Sequence, residues 1–322
     1  MTRSLALVGG RGYVGGELLT LLARHPELEL SLATSSTRAG RPIGEEVEAW
    51  RDRPETFGTL EPEGVSAVAA DVWVLSLPNG RAGLWAAAIR RAHPAAVILD
   101  VSADHRFTSE WSYGLPELWR ERIQGQNRIA NPGCYATGIQ LGVAPLRDLL
   151  HAPPVVFGVS GFSGAGRTPS PRNNPERLRE NLLPYSLTAH LHEREAEHHL
   201  GRPIRFSPHV APFFRGISLT VSVELGHGTD PDELYELFRT AYRGEQRVWV
   251  SPSVPEIQDI RGTPDAGIGG FAVDPRLPNR AAFVVVLDNL LKGAASQALQ
   301  NVNLALGMDE SLGVDPNQEV KP

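Results

Sequence analysis

Positions 4–8, Ser-Leu-Ala-Leu-Val, form a short apolar run that stops at the pair Gly9-Gly10. The apolar spacing then changes to that of a helix, with Leu18, Leu21 and Leu22 on one face of residues 17–23. Strand, glycine turn and helix are followed by more of the same kind. Residues 28–34 read as a second strand. Residues 71–77 (DVWVLSL) read as a strand buried on both faces, residues 81–92 as an alanine-rich helix, and residues 96–101 (AVILDV) as a further strand. Residues 139–150 carry the next helical pattern. Strands alternating with helices predict a parallel sheet, with ligands at the loops after the strand C-termini.

Beyond Leu150 the pattern becomes β-rich. Runs at 155–160, 204–207, 217–225 and 281–287 are joined by longer connections, and 217–225 (ISLTVSVEL) alternates as a half-solvated antiparallel strand does. A helix is expected over 231–242 and a last one over 292–306, whose narrow stripe of Ala294, Ala298, Val302 and Leu306 suits close packing on the first domain. The fold class read from this is α/β. An N-terminal Rossmann-type dinucleotide-binding domain spans 1–150 and is completed by a C-terminal helix over 292–308. A second α+β domain on a mixed or antiparallel sheet spans 151–290. The polar tail 309–322 is expected to fray.

Composition narrows the function classes. A chain of 322 residues with 41% hydrophobic residues can bury two cores around a shared cleft. The net charge of −6 argues against non-specific nucleic-acid binding. No apolar run reaches the roughly 18 residues of a membrane helix, and the first residues carry no signal-peptide cleavage site. The single cysteine fits a reducing compartment. It excludes an internal disulfide and a multi-cysteine metal site, and no metal is expected.

The glycine turn is the first candidate site. Gly9, Gly12 and Gly15 form a GxxGxxG variant of the dinucleotide fingerprint, with Tyr13 and Val14 inside it. Gly9 allows the tight turn, Gly12 the approach of pyrophosphate, and Gly15 close helix–strand packing. After the second strand come Ser35, Ser36, Thr37 and Arg38, with no acid. Hydroxyls and a guanidinium suit a 2′-phosphate, so NADP(H) is expected in preference to NAD. Pro78 and Arg106 follow later strands on the same ligand-bearing edge. A second glycine-rich loop over 160–167 holds Ser163 and Gly164; it lacks the lysine of a P-loop, and its amides suit a phosphate or the nicotinamide end of the cofactor. Arg106 and Arg215 are candidate clamps for substrate anions.

Cys134 lies in Asn131-Pro132-Gly133-Cys134-Tyr135-Ala136-Thr137. A lone cysteine is either inert filler or a nucleophile, and its neighbours favour the nucleophile. Asn131 reads as a helix N-cap and Pro132 as the first helical position. That puts Cys134 in the first turn, where amides and the helix dipole stabilise a thiolate and an oxyanion. A nucleophilic thiol needs a proton partner. The densest titratable cluster, His190-Leu191-His192-Glu193-Arg194-Glu195, offers His192 or His190, with Glu195 to orient the imidazole.

The glycine turn at the start, Asn131–Thr137 and Asp288-Asn289-Leu290-Leu291-Lys292-Gly293-Ala294-Ala295 together resemble the N-acetyl-γ-glutamyl-phosphate reductases of arginine biosynthesis, within the aspartate-semialdehyde-dehydrogenase-like superfamily. Many bacterial members carry His-Arg-His-Thr-Pro-Glu where this chain has His190-Leu191-His192-Glu193-Arg194-Glu195; the histidines keep their spacing. The resemblance implies NADPH-dependent reduction of an acyl phosphate to an aldehyde through a cysteine thioester. It implies Cys134 as nucleophile, and His192 by preference or His190 otherwise as acid/base. It also brings Asn289 to the cofactor and Asn131 to the substrate. A cytoplasmic homodimer or homotetramer acting on a small molecule is implied as well. The alternative is the aminoadipate-phosphate reductase of carrier-protein-dependent lysine biosynthesis.

Overall fold

The computed structural model describes residues 2–316. The chain divides into two compact units, Met1–Pro132 with Ala294–Pro322, and Gly133–Gly293. The first unit opens with β1 (Arg3–Val8), the glycine turn, α1 (Tyr13–Leu22) and β2 (Leu28–Ala33). It continues with β3 (Val72–Leu75), α2 (Ala82–Ala92), β4 (Val97–Asp100), β5 (Ser112–Tyr113), α3 (Pro116–Ile123) and β6 (Arg128–Ala130). These strands form a sheet in the order β2-β1-β3-β4-β6-β5 with parallel pairing throughout. β3 and β4 are buried along their whole length, as their unbroken apolar runs require. The chain leaves β1 toward β2 on one side and returns to β3 on the other, so the glycine turn stands where the strand order reverses.

The second unit begins with α4 (Cys134–Val143), β7 (Val155–Gly161), α5 (Pro175–Leu178), β8 (Leu183–Pro184) and α6 (Leu191–Leu200). β9 (Arg205–Ala211), β10 (Ile217–Glu224), α7 (Pro231–Ala241), β11 (Val248–Ser251), α8 (Ile257–Ile260), β12 (Ala266–Asp274) and β13 (Leu277–Leu287) complete it. The sheet order is β11-β12-β13-β10-β7-β9-β8. β11–β12 and β7–β9 pair in parallel and the remaining neighbours antiparallel, so the sheet is mixed. The alternation in β10 buries Ile217, Leu219, Val221 and Val223 on one face.

The boundary between the units falls at Pro132/Gly133, not after residue 150. The reason is α4, which lies on β10 and β13 through two glycines one turn apart. A Cβ on Gly138 would stand 2.6 Å from Leu219 Cδ1, and one on Gly142 2.9 Å from Val285 Cγ2. The helix stops at Val143, short of the 150 expected, because Pro145 turns the chain into a 3₁₀ segment at Ala144–Leu146.

The chain then returns to the first unit as α9 (Ala295–Leu306), packed on α1, α3 and β4. Its small-residue stripe understates its burial: Gln297, Asn301 and Asn303 are also buried. The Asn301 and Asn303 Nδ2 groups find protein acceptors in place of water. Asn301 Nδ2 donates to Gly114 O (2.8 Å) and to Asn131 Oδ1 (3.0 Å). Residues 309–316 are docked and not frayed. Arg120 holds Glu310 through two hydrogen bonds of 2.9 and 3.0 Å, Asn303 Nδ2 donates to Leu312 O at 2.8 Å, and Val314 is buried. The rest of the expected frayed tail lies outside the described residues. Asn301→Ala removes two buried hydrogen bonds and leaves Gly114 O and Asn131 Oδ1 without this donor. It should lower the unfolding free energy by about 2 kcal/mol, measured by urea denaturation at constant slope.

Candidate active site

In the first unit the glycine turn is fixed from below. Gly10 N–H donates to Thr34 O at 2.8 Å, and Gly9 N–H to Thr34 Oγ1 at 3.1 Å. Thr34 is buried at the end of β2 and holds the loop, a role no local motif announces. Gly9 sits at φ +94°, and a Cβ there would run into the Ser76 carbonyl. A Cβ on Gly15 would be 2.5 Å from Gly9 O, so this glycine is required by the approach of helix to turn. Gly12 differs. It is the N-cap of α1, no side chain caps that helix, and a Cβ would meet only Gly9 O at an ordinary 3.7 Å. The protein's own packing does not need glycine at 12, whereas close approach of a phosphate group does. Tyr13 and Val14 begin α1 and are half-buried.

The polar turn after β2 is more constrained than a solvated loop. Ser35 is buried and its Oγ accepts from Arg38 N–H at 3.1 Å, while Thr37 is exposed. Arg38 Nε is paired with Glu46 Oε1 at 2.7 Å, which aims the guanidinium. Pro78 is exposed in the loop after β3. That loop is tied to the one after β4: Asp104 accepts from Gly80 N–H (2.6 Å) and Ala82 N–H (2.9 Å), and Asn79 Oδ1 from Ala103 N–H (3.0 Å). Asp104 therefore serves the N-terminus of α2 from 22 residues away.

Two of the expected substrate ligands take part in the hydrogen-bonded frame of the first unit. Arg106 is buried and donates from Nε to Asn131 O (2.9 Å) and from Nη2 to Val101 O (2.9 Å), so those donor edges hold backbone and not an anion. Asn131 is not a helix cap. Its side chain is fully buried, donates to Ala294 O at 3.2 Å and accepts from Asn301.

In the second unit the N-cap of α4 is Gly133, and Cys134, half-buried, is the first helical residue. The Gly133 amide donates to Glu195 Oε1 at 2.8 Å; Glu195 is fully buried on α6. This bond thus ties Glu195, the residue expected to orient an imidazole, to the turn that presents the cysteine. Gly293 matters on the other side: a Cβ there would lie 2.7 Å from Cys134 Cβ and 2.8 Å from Asn289 O.

Around Cys134 stands a cluster of rings. Tyr135 packs on Phe206 (centroids 4.8 Å apart), with His192 at 6.0 Å and His190 at 6.2 Å. His190 lies 5.0 Å from His192 and 5.4 Å from Tyr185. His190 is the N-cap of α6, and its Nδ1 accepts the His192 amide at 3.1 Å. With Nδ1 used as acceptor, the neutral ring carries its proton on Nε2. Burial, and then the positive charge of Arg172, pull the His190 pKa down to about 4 against an opposing pull from Glu195. Burial, and then the Cys134 sulfur, push Tyr185 up to about 12, and Tyr135 goes up well above its ordinary value for the same first reason. Both phenols stay protonated beside the sulfur. Tyr135, Tyr185 and Arg172 were not selected from the sequence, because nothing local marks them.

The remaining candidates sit in a hydrogen-bonded frame. Asp288 is fully buried and receives Arg215 Nε (2.6 Å) and Nη2 (3.1 Å) with Gly262 N–H (2.8 Å) and Leu290 N–H (2.9 Å). Arg215 is thus bound through its Nε and Nη2 edge to a buried carboxylate. Asn289 joins two loops, donating to Ser163 Oγ (2.9 Å) and accepting from Gly216 N–H (2.8 Å). Ser163 is buried beneath exposed Gly164.

Family models match in both halves of the chain: the NAD binding domain of semialdehyde dehydrogenases over residues 4–126, and the semialdehyde dehydrogenase dimerisation domain over residues 134–289. Curated relatives named N-acetyl-gamma-glutamyl-phosphate reductase run along the whole chain. One from Stenotrophomonas maltophilia is 48% identical over 309 residues, 96% of this chain and 97% of its own length. One from Xanthomonas campestris is 47% identical over 95% of this chain and 96% of its own. One from Xylella fastidiosa is 47% identical over 100% and 98%. The chain belongs to the N-acetyl-γ-glutamyl-phosphate reductase family. Solved aspartate semialdehyde dehydrogenases share the fold of this reductase family member. The enzyme II of Vibrio cholerae aligns with TM-score 0.74 at 19% identity over 95% of this chain and 99% of its own. A Candida albicans enzyme solved with NADP aligns with TM-score 0.71 at 16% identity over 95% and 99%.

The depressed His190 value generates a pH prediction. Between about pH 4 and 6.5 the unfolded chain takes up a proton on this imidazole that the folded chain refuses, so acidification across that window lowers stability. In His190→Gln this contribution is gone. The drop in melting temperature from pH 6.5 to pH 4.5 should then be smaller than in the parent, by a few °C in thermal melts.

Proposed function

We propose that this chain reduces N-acetyl-glutamyl 5-phosphate to N-acetylglutamate 5-semialdehyde with release of inorganic phosphate, using NADPH. The near-full-length identity to reductases of that name carries the reading. It is supported by a single half-buried cysteine at a helix start, ringed by protonated phenols and a histidine of fixed tautomer. The curated names favour this substrate over its aminoadipate homologue.

The residues of the first unit fit the coenzyme. Gly12 leaves the mouth of α1 open, Gly9 and Gly15 shape the turn, and Ser35, Thr37 and Arg38 take the 2′-phosphate. Tyr13, Val14 and Pro78 line the approach. When bound, NADPH supplies a hydride. The Cys134 thiolate, favoured at a helix N-terminus, attacks the acyl carbon. The bond to the phosphoryl oxygen breaks, phosphate departs with the electron pair, and a thioester remains. The first-turn amides of α4 and the His190 Nε2–H stabilise the negative oxygen at each tetrahedral stage. After reduction the carbon–sulfur bond breaks, the aldehyde leaves and the thiolate is restored. His190 takes this role ahead of His192 because its Nδ1 is already engaged by backbone, which leaves Nε2–H as the donor. Glu195 positions Gly133, and through it Cys134.

The dimerisation-domain match supports a homo-oligomer. Val155 and Phe157 of β7 turn outward and are exposed, with Phe157 in register with exposed Thr220 on β10, a face suited to a second copy of the chain. Among the described residues no helix is long and apolar enough to cross a membrane, and a cytoplasmic setting suits the lone free thiol.

The deciding assay runs the reaction in reverse, with semialdehyde, phosphate and NADP, and compares the aminoadipate homologue by kcat/KM. Cys134→Ala should lose turnover by at least about 10³-fold while binding NADP within a few-fold of the parent; retained turnover rejects the thioester route. Arg38→Ala should raise KM for NADPH about ten-fold more than KM for NADH, and an unchanged ratio rejects the 2′-phosphate assignment.

A further inference from the structure

Beside Arg106 and Arg215, which are held in part by backbone and by Asp288, the structure presents a further cation. Arg172 is solvent-exposed, and its guanidinium lies 4.9 Å from the centroid of the Tyr185 ring. No carboxylate pairs with it among the described residues. Tyr185 does not neutralise it, since that phenol stays protonated at working pH. The charge reaches the acid/base group, pulling on His190, while Tyr185 feels both the Arg172 charge and the Cys134 sulfur. A positive charge is therefore held within the histidine and tyrosine cluster and left unmatched.

Arg172 is held by a built loop. Asn173 Nδ2 donates to Gly166 O and Thr168 O, both at 2.8 Å, and its Oδ1 accepts from Ser170 N–H at 2.7 Å, closing the turn around its neighbour. The segment that delivers Tyr185 and His190 is strained: Glu180, Ser186 and Ala189 are the non-glycine residues with positive φ among the described residues, at 51°, 42° and 57°. Such conformations are unfavourable for residues with a side chain and persist where the surroundings over-determine them. Glu193 supplies part of that determination, accepting from Ala189 N–H (2.9 Å) with one oxygen and from Phe206 N–H (2.8 Å) with the other.

We propose that Arg172, stacked on Tyr185 beside His190, is the residue that binds an oxyanion of the substrate, either its carboxylate or its phosphoryl group, and so sets the preference of Cys134 for doubly anionic acyl phosphates. The proposal rests on the reductase reading. A planar guanidinium backed by a ring presents its outer N–H groups as a fork that fits either anion. Tyr185 serves as its platform, and Asn173 acts on it as a positioning residue.

The test is steady-state kinetics in the reverse direction with the full-length parent, Arg172→Ala, Arg172→Lys and Asn173→Ala, varying inorganic phosphate and semialdehyde separately. The expected result for Arg172→Ala is a ten-fold or larger rise in KM for one of the two, with kcat and KM for NADP within three-fold and partial rescue in Arg172→Lys. A rise confined to phosphate assigns the phosphoryl group, and one confined to semialdehyde assigns the carboxylate. Unchanged KM for both overturns the proposal. So does a uniform fall in kcat with a lowered melting temperature, which marks a purely structural arginine. A parent that does not turn over rejects the reductase reading instead. In that case protection of Cys134 from iodoacetamide by inorganic phosphate or N-acetylglutamate, present in the parent and absent in Arg172→Ala, still supports the anion site, and equal behaviour of the two proteins overturns it.

Discussion

A buried carboxylate accepting one backbone amide sets the geometry on which the site depends. Glu195 is fully enclosed on α6, and the Gly133 N–H reaches it at 2.8 Å. Burying a carboxylate is costly unless it is hydrogen-bonded, so this bond couples α6 to the turn ahead of α4. The same helix begins with His190 and His192, and the same turn ends in Cys134. The bond therefore helps to hold the nucleophile relative to the imidazoles. The glycines at 138 and 142 fix the other end of the arrangement by letting α4 rest directly on the sheet. Gly293 keeps the space beside the sulfur clear of a side chain.

Much of the architecture was legible in the chain. The apolar runs marked β1, β3, β4 and β10 closely, since period and burial go together wherever a strand has one or two covered faces. The glycine turn and the cysteine segment were legible for the same reason: backbone conformation and small size are local properties. The hydrogen-bond partners were not. Asp288, which binds Arg215, lies 73 residues on in the chain, and Asn131 O, which accepts from Arg106, lies 25 residues on. Asn131 has the residue type of a helix cap, yet α9 takes up its side chain from the far end of the chain. Docking of residues 309–316 depends likewise on Arg120 and Asn303, whose own patterns announce nothing.

The residues that escaped sequence reading share a trait. Tyr135, Tyr185, Arg172 and Thr34 act through one ring face or one oxygen brought in by tertiary structure. The three backbone strains at 180, 186 and 189 are invisible in composition, because Glu, Ser and Ala are unremarkable residue types there. Strain gathered just before His190 indicates that the segment is held by the fold and does not choose its own conformation.

The placement of α9 has a consequence for biosynthesis. The second unit is one unbroken stretch, Gly133–Gly293, whereas the first is built from the segments on either side of it. A ribosome releases the parallel sheet of the first unit before the second unit, but the helix that covers it, with the amide pair Asn301–Asn131, emerges only after Gly293. The later-made half is thus free to mature while the earlier-made half still waits, exposed, for its last helix, and that interval is when chaperones have the most reason to engage the nascent chain.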